Sequence, residues 1–89
     1  MVGAKKKKKF YERINNLPSF HKKTKSLIIE TEDYIICVAR GESDITVYYH
    51  GNDQECYEVL EEMKRSGKYP WLSNEEDLTQ FQMFSVCTQ

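Results

Sequence analysis

Residues 26–50 read SLIIETEDYIICVARGESDITVYYH. Three runs within them, residues 26–30, 34–39 and 45–50, are rich in the β-branched and aromatic side chains that suit a pleated surface. The links between them, TED at 31–33 and RGESD at 40–44, are too short for the crossover that parallel neighbours require. An antiparallel meander is therefore expected. Residues 34–39 are apolar without interruption, the pattern of a strand covered on both faces, so the second run is expected to be central. In the third run Ile45, Val47 and Tyr49 alternate with Thr46, Tyr48 and His50, and the first set is expected to face the core.

Upstream of the meander, Phe10, Ile14 and Leu17 recur at i, i+4, i+7 with Tyr11 beside them, which predicts an amphipathic helix over about residues 5–16, ended by Pro18. Lys5, Lys6, Lys7, Lys8 and Lys9 stand where the helix dipole favours acids, so residues 1–9 are expected to fray into a mobile basic arm ahead of a single domain spanning 10–89. Downstream, Cys56, Val59, Leu60 and Met63 trace one helix face within GNDQECYEVLEEMKRSG, residues 51–67. Asn52 or Asp53 can cap this helix, Glu55 completes a capping box with Asn52, Lys64 and Arg65 suit its last turn, and Gly67 suits its end.

After the turn KYPWL, Ser73 stands three residues before Glu76 and predicts a second capping box, opening a short helix with Leu78 and Phe81 on one face. Residues 82–89 follow neither the helical nor the strand period, which leaves a helix and a terminal strand both open. The order is α-β-β-β-α-α: an α+β domain built on a three-stranded antiparallel meander with helices on one face. Such a domain leaves Ile28, Tyr34, Ile36, Val38 and Tyr48 without full cover, and a C-terminal segment, a partner or a homodimer would each supply it.

A chain of 89 residues with 39% apolar and 12% aromatic side chains suits one globular core. Cys37, Cys56 and Cys87 are odd in number and lack CxxC spacing, which speaks against a disulfide framework and points to a reducing, cytoplasmic setting. No apolar run approaches membrane-spanning length, and the lysines lead into no signal-peptide core, so neither membrane insertion nor secretion is expected. The net charge of −1 conceals a division: residues 1–27 hold nine Lys/Arg against Glu12, whereas residues 41–89 hold ten Asp/Glu against Lys64, Arg65 and Lys68. Each portion can attract a partner of opposite sign, because a local field follows distribution rather than the total.

Catalysis would need a nucleophile beside a base. The candidates, Cys37, Cys56 or Cys87 with His21 or His50, carry no local signature, and two of the thiols fall on expected core faces, so no enzymatic activity is expected. His50, Asp53 and Cys56 lie close in sequence but match no recurrent metal-ligand spacing, and neither metal nor cofactor is expected.

The remaining signals concern binding. Lys5–Lys9 and Arg13, with Phe10 and Tyr11, combine phosphate-binding charge with aromatic faces for stacking, which suits nucleic acid. The α-β-β-β-α order resembles the double-stranded RNA-binding domain, but that family needs a basic start to its second helix, and Asp53, Glu55 and Glu58 stand there instead. The acids Glu42 and Asp44 in the hairpin loop, with Glu75, Glu76 and Asp77 in the last helix, offer a surface for a basic protein cleft.

YEVLEEMKRSGKYPWLSNEEDLTQFQMFSV, residues 57–86, resembles a small phage-encoded anti-CRISPR family in its helix, Trp-bearing turn, acid-rich helix start and short apolar tail. Members of that family inhibit type II effector nucleases by occupying the site of the DNA element beside the target. The resemblance implies that Glu75, Glu76 and Asp77 imitate phosphates with help from Glu42 and Asp44, and that the partner is a nucleic-acid-binding nuclease. It does not extend to the basic first third of the chain, since that family is acidic throughout.

Overall fold

Apolar residues on successive positions of a strand point to opposite sides, so a fully apolar strand demands cover on both. The computed structural model, which describes residues 4–73 and 80–86, meets that demand with helices above and below one sheet. Strands β1 (Lys25–Glu30), β2 (Ile35–Arg40) and β3 (Asp44–His50) form the expected antiparallel meander, with Ile28 opposite Cys37 and Cys37 opposite Tyr48. At the first turn the Thr31 hydroxyl accepts from the backbone N–H groups of Asp33 and Tyr34, at 3.2 Å each, and the Thr31 N–H donates to Tyr34 O at 2.9 Å. At the second, the Gly41 N–H donates to Asp44 O at 2.9 Å.

The sheet has four strands, not three. β4 (Gln80–Ser85) lies parallel to β3, giving the order β1-β2-β3-β4 and placing β2 and β3 together at the centre. Its sequence hides its period because it serves both faces. Met83 packs toward Ile45 and Val47, while Phe84, register partner of Tyr48, lies on the opposite side. The parallel pairing needs a crossover, which α3 (Asp53–Ser66) and α4 (Pro70–Ser73) supply.

Helices on one face is the second expectation to be corrected. From α1 (Ala4–Asn15), Phe10 and Ile14 pack on Ile35, Cys37, Ala39, Tyr48 and Val86. Across the sheet, Cys56, Leu60 and Met63 of α3 and Leu72 of α4 pack on Ile36, Val38, Ile45, Val47 and Tyr49. The residues that lacked cover are thereby divided: Ile36 and Val38 lie under α3 with Tyr34 partly buried on the same side, Tyr48 lies under α1, and Ile28 stays 44% exposed at the β1 edge. Burial of each such large side chain contributes roughly 1.5–3 kcal/mol, enough on each side to hold a helix that would be marginal alone.

Local signals set the helix ends. Asn52 caps α3, its Oδ1 accepting from the Glu55 N–H at 3.0 Å, and Gly67 ends it with φ 73°. α1 stops at Asn15, and Pro18 opens α2 (Pro18–His21), a single short turn ahead of β1. The lysine run is helical from its first member, since α1 starts at Ala4.

Candidate binding surfaces

Opposite helices give the sheet opposite charges. α1 carries Lys5–Lys9 and Arg13 against Glu12, and α3 carries Asp53, Glu55, Glu58, Glu61 and Glu62 against Lys64 and Arg65. Because the sheet stands between the two helices, a partition along the sequence becomes a partition across the molecule.

On the acidic side Glu58, Glu61 and Glu62 are exposed, as is Asp53. Two of these acids pair within the helix: Glu61 with Lys64 at 3.9 Å and Glu62 with Arg65 at 3.1 Å. Asp53 and Glu58 form the more strongly negative end. Tyr57 rises between them, 48% exposed, with its ring 6.3 Å from that of Tyr49. Burial, and then the Asp53 carboxylate, push the Tyr49 phenol up to about 12, so it serves as a fixed neutral donor beneath this end. Sequence reading passed over Tyr57. The available signal was an aromatic residue one position off the apolar stripe, next to Glu58 and one turn after Asp53.

The hairpin acids sit elsewhere. Glu42 and Asp44 line a groove with Ser19, Lys22, Lys23 and Thr24, and the Lys23 ammonium pairs with the Asp44 carboxylate. Asp44 is thus largely neutralised within the fold, while Glu42 stays exposed. Gln80, three residues after Asp77, is the register partner of Asp44. Glu75, Glu76 and Asp77, with the helix start expected around them, lie outside the described residues.

On the basic side Lys5, Lys6, Lys8, Lys9 and Arg13 are exposed, and Lys7 reaches Glu30 at 3.9 Å. The aromatic faces expected beside them are not available. Phe10 is fully buried, and Tyr11 donates to Glu30 at 2.8 Å. The exposed ring on this side is instead Phe84, stacked on Tyr48 with centroids 6.2 Å apart and planes 22° apart. It lines a cleft of about 480 Å³ with Arg13, Leu17, Ser19, Tyr48 and Val86.

Burial pushes the Cys37 and Cys56 thiols up to about 11, so neither is a ready nucleophile near neutral pH. His50 Nδ1 is 3.1 Å from Val86 O, and His21 Nε2 is bonded to Asn15 O. Cys87 lies outside the described residues. Among the described residues no three His, Cys, Asp or Glu side chains gather as a metal site needs, and no helix is long and apolar enough to cross a membrane.

Comparison with family models, with curated proteins and with solved structures gave no match.

Proposed function

We propose that this chain is a small non-catalytic binding protein that blocks a nucleic-acid-processing protein by presenting acids where that partner receives phosphates. The observation that carries the reading is the placement of α1 and α3 on opposite faces of the sheet. A phosphate mimic would be spoiled by a lysine run on the same surface; here the acids of α3 and those lysines lie on opposite sides of the sheet, so a partner docking on one face does not meet the other. Tyr57, exposed between Asp53 and Glu58, supplies the aromatic anchor such interfaces favour. In its narrowest form, drawn from the resemblance over residues 57–86, the protein comes from a phage or mobile element and acts in the cytoplasm on a type II CRISPR nuclease.

The test is target cleavage by a guide-loaded type II nuclease, titrated with this protein. Inhibition should vanish when Glu75, Glu76 and Asp77 are reversed to Lys, and weaken when Tyr57→Ala and Glu58→Lys are combined, with the far-ultraviolet spectrum unchanged. Inhibition that survives all five changes would remove the acidic surface from the account.

A second reading rests on α1, whose exposed cations Lys5, Lys6, Lys8, Lys9 and Arg13 suit an accessory protein that holds nucleic acid. Replacing the four lysines by Gln should abolish binding to labelled nucleic acid at low salt; retained affinity counts against it.

A further inference from the structure

Phosphate binding by lysines alone selects no form of nucleic acid, because every strand presents the same backbone. The cleft beside α1 adds what the lysines lack. Its floor is the Tyr48 ring, 2% exposed, whose hydroxyl lies 3.0 Å from Ser19 Oγ. Its wall is Phe84, which keeps 48% of its surface open while stacked on Tyr48. Phe20 also meets Tyr48 edge-on, with centroids 6.0 Å apart, so the floor is braced. A cleft of about 480 Å³ falls in the range of sites that enclose small planar ligands, roughly 300–1,000 Å³.

Arg13 lines the same cleft, and helix geometry sets Lys9 and Lys6 on its face, one and two turns toward the N-terminus. An open aromatic face and a row of cations leading away from it form the arrangement by which proteins hold a strand whose bases are unpaired. The other exposed phenylalanine shows the contrast. Phe81, on the α3 side, is already occupied by the Lys64 ammonium, 5.2 Å from its centroid, and lies across the sheet from the lysine run.

We propose that the cleft between α1, α2 and β4 receives an unpaired base of a single-stranded nucleic acid against Phe84, while Arg13, Lys9 and Lys6 hold the adjoining phosphates. The assignment rests on the second reading above and narrows it to one strand form and one stacking residue. A mononucleotide shares the base and phosphate chemistry, but the cations extend two turns beyond the cleft, so the longer ligand gains most.

The experiment is an anisotropy titration of the full chain with fluorescein-labelled dT and U decanucleotides, a duplex of the same length, and UMP as competitor, at several salt concentrations. Either decanucleotide should bind, the duplex should bind more weakly, and UMP should compete only at far higher concentration. Phe84→Leu, which keeps an apolar contact on Tyr48 but offers no ring, should weaken binding about 5- to 100-fold, and Phe84→Tyr should restore it. Arg13→Gln, at an exposed position that leaves the core intact, should lower the salt slope by about 0.7.

If Phe84→Leu binds as the parent does while Lys6→Gln with Lys9→Gln abolishes binding, the stacking site is wrong and the basic helix alone survives. If no oligonucleotide binds at low salt, both fail. Equal affinity for duplex, or UMP competing at the decanucleotide's own concentration, would also overturn the single-strand assignment.

Discussion

Lys23 buries its side chain to 6% exposure against the carboxylate of Asp44, tying the chain that enters β1 to the loop that leaves β2. The pair spans 21 residues and closes the end of the sheet at which Gly41 also bonds Asp44 O. Removing the carboxylate would leave an ammonium largely out of water without its partner. Asp44→Asn should therefore lower stability by about 1–3 kcal/mol, read as a shift in the urea midpoint. Lys23→Met, which removes the buried charge as well, should cost less than Asp44→Asn, and the reverse order would refute the explanation.

Gly51 closes β3 with φ 141°, and a Cβ there would stand 2.8 Å from Tyr34 Cβ and 3.0 Å from Asp33 O. Gly51→Ala should cost about 1–3 kcal/mol through backbone strain and crowding together. Gly67, with φ 73° and no atom within 4 Å of a built Cβ, carries only the backbone term. Gly67→Ala should cost less, about 1 kcal/mol, and thermal unfolding of the two variants side by side checks the order.

Phe10 is completely buried between α1 and the sheet. Phe10→Ala should lower stability by about 3–5 kcal/mol, a value that a helix resting loosely on the surface would not produce. A loss below about 1 kcal/mol would mean that α1 does not cover this face in solution.

Both described thiols titrate near 9 in an open chain and are held at about 11 by burial in the fold. Between those values the folded chain keeps protons that the unfolded chain has released, so stability falls as pH rises from 9 toward 11. Tyr11 and Tyr49, raised from 10 to about 12, add to the loss at the upper end. Urea midpoints taken from about pH 8 to about pH 11 should decline, and Cys37→Ala should decline less steeply whatever its offset at the start. Parallel curves would exclude Cys37 as a contributor.

Much of the fold was readable because the signals involved are local. Turn length fixed the meander, the spacing of Cys56, Val59, Leu60 and Met63 fixed α3, and the side chain of Asn52 fixed its start. β4 was not readable, since Phe81, Met83, Phe84 and Val86 mix positions from both sheet faces and so follow no single period. The site was read less well than the fold. Phe10 is core, as its place on the apolar stripe implies, and so offers no ring for stacking, while Asp44, one of the acids suited to a basic cleft, is bound to Lys23. Each outcome depends on a neighbour remote in sequence.

What the sequence determined alone was the three-stranded meander, α1 and α3, and the sign of charge each of these helices carries, because propensity, capping and turn chemistry act within a few residues. Tertiary structure decided which face each helix covers. That choice turns a chain of almost no net charge into a body with a basic face and an acidic one, and sets Phe84 rather than Phe10 beside the basic helix. The physical reason is the alternation of β2: its apolar side chains point both ways, and only helices on opposite sides of the sheet bury them all.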